Sequence, residues 1–408
     1  MQASAALMHQ CLDALVPSRS FGIYIHVPFC ERRCKYCAFV SSVWRPVPSA
    51  DYAAALCREM DTRLAAFKGR QLATVYWGGG TPSMLDDHAI AQVLEHISDK
   101  CGSAREITLE ANPEHVTLER AVTWKSLGFT RISLGVQSFD NAMLAILGRR
   151  HDEQRVREAL NVLRLAGFEE ICIDLIYGAR RTDGKSHEEI KRWQQELETA
   201  RSLMVEHASC YELTLEKHTP LCTAQEHGQN VLCEEDIIAD MMAMIPDVLG
   251  MQRYEISNYS RNHYFSAHNV SCWAGLPYLG LGPGAHSLIL SDAKSSEDAI
   301  LRRANTGNVR HWLWSMKNGE QPEPEFVESL TAQEHLAERL MCAARTRFWW
   351  HPETIAHSIH GNIAPFLPSL DKGLKCGLLE MNAFGKLRTT EQGIALNNRL
   401  DTLIFESL

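Results

Sequence analysis

Between residues 21 and 215 six short, β-branched-rich apolar runs alternate with five stretches of helical periodicity. Strand patterns fall at 21–27, 72–77, 106–110, 131–137, 170–177 and 207–215; helical patterns intervene at 51–68, 85–98, 118–127, 152–166 and 187–203. Strands separated by helical crossovers pair in parallel, and the crossovers are right-handed. Six such units fall short of the eight that close a barrel. The expected fold is therefore α/β, an incomplete (βα)6 TIM-type barrel whose open side leaves room for a large ligand or partner.

Near Tyr254 the alternation stops. Residues 254–259 read as one strand, followed by a polar loop and the Gly-rich run Gly280-Leu-Gly-Pro-Gly-Ala-His286. From about 328 the pattern is mostly helical, with short strand candidates at 378–382 and 386–389 around Ala383-Phe-Gly385. Helix, hairpin and helix suggest a winged-helix-like unit. The expected organisation is an N-terminal extension (1–20), the partial barrel (21–250), a linking segment (251–326) and a mostly helical C-terminal domain (327–408). A net charge of −9 and no dense basic run on the candidate recognition helix argue against nucleic acid as a partner. The 13 cysteines are scattered through 408 residues, and Cys57, Cys172 and Cys210 lie in apolar-periodic segments, so buried free thiols in a reducing compartment are expected. The first 20 residues have too short an apolar run for a signal peptide and, with Asp13 and a single Arg19, read poorly as a transit peptide, so the expected location is the cytoplasm, with a mitochondrion or plastid as the alternative.

The chemistry concentrates after the first strand. Phe21-Gly-Ile-Tyr-Ile-His-Val27 ends at Pro28, and Cys30-Glu-Arg-Arg-Cys34-Lys-Tyr-Cys37 follows on a loop at the strand's C-terminal edge, where α/β barrels place their sites. Two readings fit this spacing. Three thiolates can hold a [4Fe–4S] cluster with one iron left open to a small molecule. Alternatively, His26 completes a Cys3His structural zinc site.

The flanking residues decide how the loop is read. Tyr24-Ile-His-Val-Pro-Phe-Cys30, the CxxxCxxC spacing and Tyr36 before the last Cys resemble the radical S-adenosylmethionine (SAM) enzymes. More narrowly they are similar to the oxygen-independent coproporphyrinogen oxidase family and its haem-chaperone branch, HemW. The likeness runs densely from Phe21 to His286. It implies that Cys30, Cys34 and Cys37 hold a [4Fe–4S] cluster whose open iron binds SAM, and that one electron from the cluster can cleave SAM to a 5′-deoxyadenosyl radical.

The same resemblance assigns SAM contacts to Tyr24, Tyr36, Gly79, Gly80, Thr81, Glu110, Gln137, Arg149 and Asp174. Gly78-Gly-Gly-Thr-Pro82 directly follows the second strand, where missing side chains let a backbone approach a ligand closely, although an isolated Gly triplet more often marks a tight turn. Glu110, Gln137, Arg149 and Asp174 lie at strand ends or in the loops that follow. Singly each could be a buried polar group with backbone partners. Together they suit a ligand with a ribose, an amine and a carboxylate.

Two features separate the branches. The oxidase branch carries a further Cys two positions after the cluster motif, where this chain has Phe39, and a longer N-terminal segment. Both differences point to the chaperone branch. In that branch the His of His268-Asn-Val-Ser-Cys-Trp273 is implicated in haem binding; Cys272 stands where the family has Tyr, and Gly178-Ala-Arg-Arg-Thr182 replaces the usual Gly-Leu-Pro-Gly. The resemblance thus implies haem as a further cofactor, with His268, or else Cys272, as its ligand. It implies apo-haemoproteins and an electron donor such as flavodoxin or ferredoxin as partners, with transient membrane association and a homodimer as further expectations. The enzymatic alternatives are oxidative decarboxylation of coproporphyrinogen III and radical-SAM haem breakdown.

Overall fold

The structure is a computed structural model and describes residues 10–12, 15, 19–181, 186–290 and 300–408. Most of the expected N-terminal extension, and Thr182 of the departing Gly178 loop, lie outside the described residues. The six expected strands are all present: β1 (Ser20–Val27), β2 (Gln71–Gly79), β3 (Glu106–Ala111), β4 (Arg131–Gln137), β5 (Glu170–Tyr177) and β6 (His207–Glu212). They pair in parallel in that order. Helices Ser49–Arg63, Asp87–Cys101, Leu118–Ser126, Glu153–Leu165 and Ser186–Ser202 are the crossovers.

The sheet is wider than six strands. The segment expected only to link two domains supplies both its margins: β7 (Gln252–Arg253) and β8 (Asn258–Ser260) beyond β6, and β9 (Tyr278–Leu281), β10 (His286–Leu290), β11 (Ile300–Ala304) and β12 (Phe326–Ser329) beyond β1. The sheet has twelve strands in the order β12-β11-β10-β9-β1-β2-β3-β4-β5-β6-β8-β7, so it curves around the site without closing. The run 254–259 is not one strand. The Glu255 carboxylate accepts the Ser257 N–H (2.9 Å), and this local bond turns the chain so that β7 and β8 form an antiparallel pair.

The strands alternate with period two. Ile23, Ile25, Val75, Trp77, Leu109, Ile132, Leu134, Ile171 and Ile173 are fully buried in the main core beneath the helices. The interleaved positions turn inward and carry polar groups: Tyr24 and His26; Thr74 and Tyr76; Glu106 and Glu110; Arg131 and Ser133; Cys172 and Asp174; His207 and Ser209. A parallel sheet covered on both faces normally reads as an unbroken apolar run. Here the barrel interior is a polar column, and its members hydrogen-bond one another. Cys172 Sγ meets His207 Nδ1 at 2.9 Å, and His207 Nε2 meets the Tyr254 hydroxyl at 2.8 Å.

Tyr254 belongs to a second core with Leu336, Leu340, Phe348, Trp350 and Leu400. That core is built by helices Ala332–Ala344, Leu367–Lys375 and Asn397–Phe405 with the hairpin β13 (Leu379–Met381) and β14 (Leu387–Thr389), the helix–hairpin–helix arrangement read from the sequence. Among the described residues no helix is long and apolar enough to cross a membrane.

Candidate functional site

The C-terminal ends of β1 to β6 surround a cavity of about 410 Å³. Its wall on the β1 side is the thiol loop, pinned at its base where Phe29–Cys30 pairs with Ser42–Val43. The Gly78–Gly80 segment explains itself sterically. Gly80 N–H donates to Val27 O at 2.7 Å. A Cβ on Gly80 would lie 2.9 Å from the carbonyls of Val27 and Phe29 and 3.0 Å from Cys30 Sγ. At Gly79, φ is +109° and a Cβ would lie 2.8 Å from the His26 ring. Both glycines are therefore required to bring β2 against the thiol loop. The tight-turn reading and the ligand-approach reading are two sides of one constraint.

His26 is committed within the protein. Val40 O can only accept, so Nε2 carries the proton in their 2.7 Å bond, and Nδ1 is left to accept from the Tyr24 hydroxyl at 3.2 Å. No imidazole lone pair remains for a metal, which removes the fourth ligand from the zinc reading. Among the described residues no group of three or more His, Cys, Asp or Glu side chains is already gathered as a metal site. Cys30, Cys34 and Cys37 all line the cavity. Burial pushes the Cys30 and Cys37 thiols up, Thr81 partly offsetting this at Cys30 and the Phe39 N–H at Cys37. Thr81 Oγ1 reaches Cys30 Sγ at 3.7 Å and Arg149 Nη1 reaches Cys34 Sγ at 3.6 Å.

Of the residues named from the sequence, Tyr36, Gly79, Gly80, Thr81, Glu110, Gln137, Arg149 and Asp174 join the three cysteines around this cavity. Glu110 accepts from the Tyr76 hydroxyl at 2.8 Å, and burial with the nearby Asp174 carboxylate pushes its pKa up to about 8. Burial raises Asp174 as well, against the hydroxyls of Ser209 and Ser133. Two buried carboxylates whose charged forms burial disfavours gain from a positive charge brought beside them. Arg149 donates to Asn112 Oδ1 and Gly135 O, each at 2.7 Å, yet its buried Nε has no partner. That atom is available to a carboxylate. Gln137 sits at φ +68° where the β4–β5 register slips, the strained geometry that functional residues often hold. An ammonium, a carboxylate and a hydroxylated sugar thus find complementary groups here.

Two named residues are not on the cavity wall. Tyr24 lies one layer below, its ring 3.1 Å from where a Gly78 Cβ would stand. His268 is deeper still, inside the barrel. It is buried, bonded through Nδ1 to Thr74 Oγ1 at 2.8 Å and stacked on Tyr76 with ring centroids 5.1 Å apart. Helix Ala267–Trp273 carries it, and the Glu106 carboxylate accepts the N–H groups of Ala267 and His268 at 2.8 and 2.9 Å. The helix closes the barrel floor and turns the His268 ring onto Thr74 and Tyr76, away from the wall of the cavity. Cys272, on the same helix, is half-buried, and desolvation pushes its thiol up to about 12. Sequence reasoning missed Tyr76, Asn112, Ser133 and Tyr211, which also line the cavity. The signal was period two: Asn112 follows Glu110, and Ser133, Gly135 and Gln137 follow one another, at alternate positions of strand ends.

Comparison with known proteins agrees with this geometry. Residues 24–193 match the radical SAM superfamily. The chain is 35% identical over 295 residues to a "Heme chaperone HemW" of Lactococcus lactis, covering 71% of this chain and 73% of the relative. It is 29% identical to the Bacillus subtilis protein of the same description, covering 92% and 97%. The fold is similar to that of coproporphyrinogen III oxidase (HemN) from Escherichia coli, with a TM-score of 0.76 and 22% identity over 97% of this chain and 93% of the other. The chain belongs to the oxygen-independent coproporphyrinogen oxidase-like family of radical SAM proteins, on its HemW branch.

Proposed function

We propose that this protein is a SAM- and [4Fe–4S]-binding haem chaperone that accepts haem and passes it to apo-haemoproteins. The observation that carries the reading is the cavity itself, lined by three thiols, two buried carboxylates and an arginine with a buried, unpartnered Nε. Cys30, Cys34 and Cys37 would hold the cluster. Glu110 and Asp174 would take the amine and ribose of SAM, Arg149 its carboxylate and Gln137 its sugar or base edge. Bound together, cluster and SAM supply one-electron reductive chemistry. The protein's own part is to orient SAM, to hold β2 against the thiol loop at Gly79 and Gly80, and to bury Glu110 and Asp174 so that their charged forms gain from a bound cation.

The chaperone assignment draws on the names of the relatives and on Phe39 at the position of the oxidase branch's additional Cys. The thirteen cysteines are all free, which suits a reducing compartment such as the cytoplasm. The reading is tested by anoxic reconstitution followed by iron and sulfide counting, then haemin transfer to apo-myoglobin. About four irons per chain, lost in Cys34→Ala, and transfer faster than from free haemin are expected. Conversion of coproporphyrinogen III with SAM consumption, and no haem transfer, would replace the chaperone by the oxidase.

A further inference from the structure

We propose that Cys172, His207 and Tyr254 are positioning residues for Asp174, joined in a chain of hydrogen bonds that runs through the barrel interior from the second core, each donor aimed toward the Asp174 carboxylate. The inference deepens the SAM reading above and rests on it. None of the three residues lines the cavity, so they act on a ligand there only through Asp174.

Parallel register brings the groups together. Across β5 and β6, Cys172 lies opposite His207 and Asp174 opposite Ser209, so the four side chains share one face of the sheet. Tyr254, a member of the C-terminal core, meets His207 from the far side. The direction of each bond follows from its partners. The Tyr254 hydroxyl accepts the Ser266 N–H at 3.4 Å, so its own proton goes to His207 Nε2 at 2.8 Å. The proton of the neutral imidazole is then on Nδ1, which donates to Cys172 Sγ at 2.9 Å. Burial holds His207 well below the usual histidine range and pushes the Cys172 thiol up to about 12, so neither is charged.

Cys172 therefore receives one proton and keeps its own to give. Ile173 O at 3.6 Å and Asp174 Oδ1 at 3.7 Å are both within reach, with Ser209 Oγ at 3.4 Å beside them. A carboxylate is the stronger acceptor once ionised, so the S–H turns to Asp174 as that group becomes charged. Ser133 donates to both oxygens of the same carboxylate at 3.2 Å. The chain thus supports the charged form that burial disfavours, and that is the form a cationic ligand needs. A merely space-filling role for Cys172 would cost stability and leave SAM affinity alone.

The test is isothermal titration of cluster-reconstituted protein with SAM, with iron counted in every variant. Cys172→Ala is expected to weaken binding about threefold to tenfold, since a thiol is a weak donor to a charged acceptor. Cys172→Ser restores a donor and should bind within about twofold of wild type. Asp174→Asn is itself weakened, and adding Cys172→Ala to it should change affinity by less than about twofold, because both act through one bond. Tyr254→Phe removes the donor that fixes the His207 tautomer and should weaken SAM about threefold from outside the cavity. Wild-type affinity in Cys172→Ala, a serine variant no better than the alanine variant, or full additivity with Asp174→Asn overturns the inference and leaves the SAM site standing. If Cys172→Ala loses iron, Tyr254→Phe decides, and wild-type affinity there overturns the chain. Wild type that does not bind SAM overturns the reading on which the inference rests.

Discussion

Glu110 offers the sharpest test of the site, because its charge works against folding and for binding. Its carboxyl is buried beside Asp174 and titrates at about 8 in place of 4.5. The folded pKa lies above the unfolded one. Below about pH 4.5 the group is therefore protonated in both states and has no effect on stability. Between 4.5 and 8 the unfolded chain ionises first, and stability falls as pH rises; above 8 the loss is complete. At 1.36 kcal/mol per pH unit the ceiling on that loss is about 5 kcal/mol. Glu110→Gln removes the titration but weakens the bonds that Tyr76 and Gly79 donate to a carboxylate, so the net gain at pH 8.5 is about 1–3 kcal/mol. Thermal denaturation of SAM-free, cluster-reconstituted protein should show the variant melting a few degrees above wild type at pH 8.5, with the gap closing by pH 5. The same variant should bind SAM at least about tenfold more weakly, having lost a buried charge-assisted contact. A variant that melts with or below wild type at pH 8.5, with no trend in pH, would refute the reasoning.

Three other substitutions probe separate parts of the argument. Gly79→Ala forces a Cβ to 2.8 Å from the His26 ring at φ +109°, and the variant should lose about 2–4 kcal/mol in denaturant unfolding and fail to retain iron. Arg149→Lys keeps the charge but loses the fork that spans Asn112, Gly135 and Cys34; isothermal titration should give SAM binding weakened about tenfold with the cluster intact. Tyr254→Phe strands His207 Nε2 in the barrel interior at a cost of about 1–3 kcal/mol, and urea unfolding at pH 7 would expose the loss.

What could be read from the sequence, and what could not, follows from how far each signal reaches along the chain. The six βα units were legible because each strand and its crossover helix encode their own period. The three-cysteine loop was legible because its spacing is local. Even the grouping of Glu110, Arg149 and Asp174 could be anticipated, since parallel strands put all their C-terminal ends on one side. The margins of the sheet were not legible. Tyr278–Leu281 is a four-residue strand whose partner, β1, lies about 250 residues away, and Gly280 and Gly282 made it look like a loop. Gly282 in fact sits at φ +95° where a Cβ would meet His26 O at 2.5 Å, and a Cβ on Gly280 would meet the His286 carbonyl, so the glycines mark close packing of β9 between β1 and β10. His268 fails for a related reason. Its motif identifies a residue that matters but not the wall it faces. Only the fold reveals that Glu106 caps its helix from the barrel floor, and that its ring ends against Tyr76, the donor to Glu110. A histidine expected to hold haem thus supports the carboxylate expected to hold SAM. Phe39, noted in the sequence only for not being a cysteine, lines the cavity with 65% of its surface exposed.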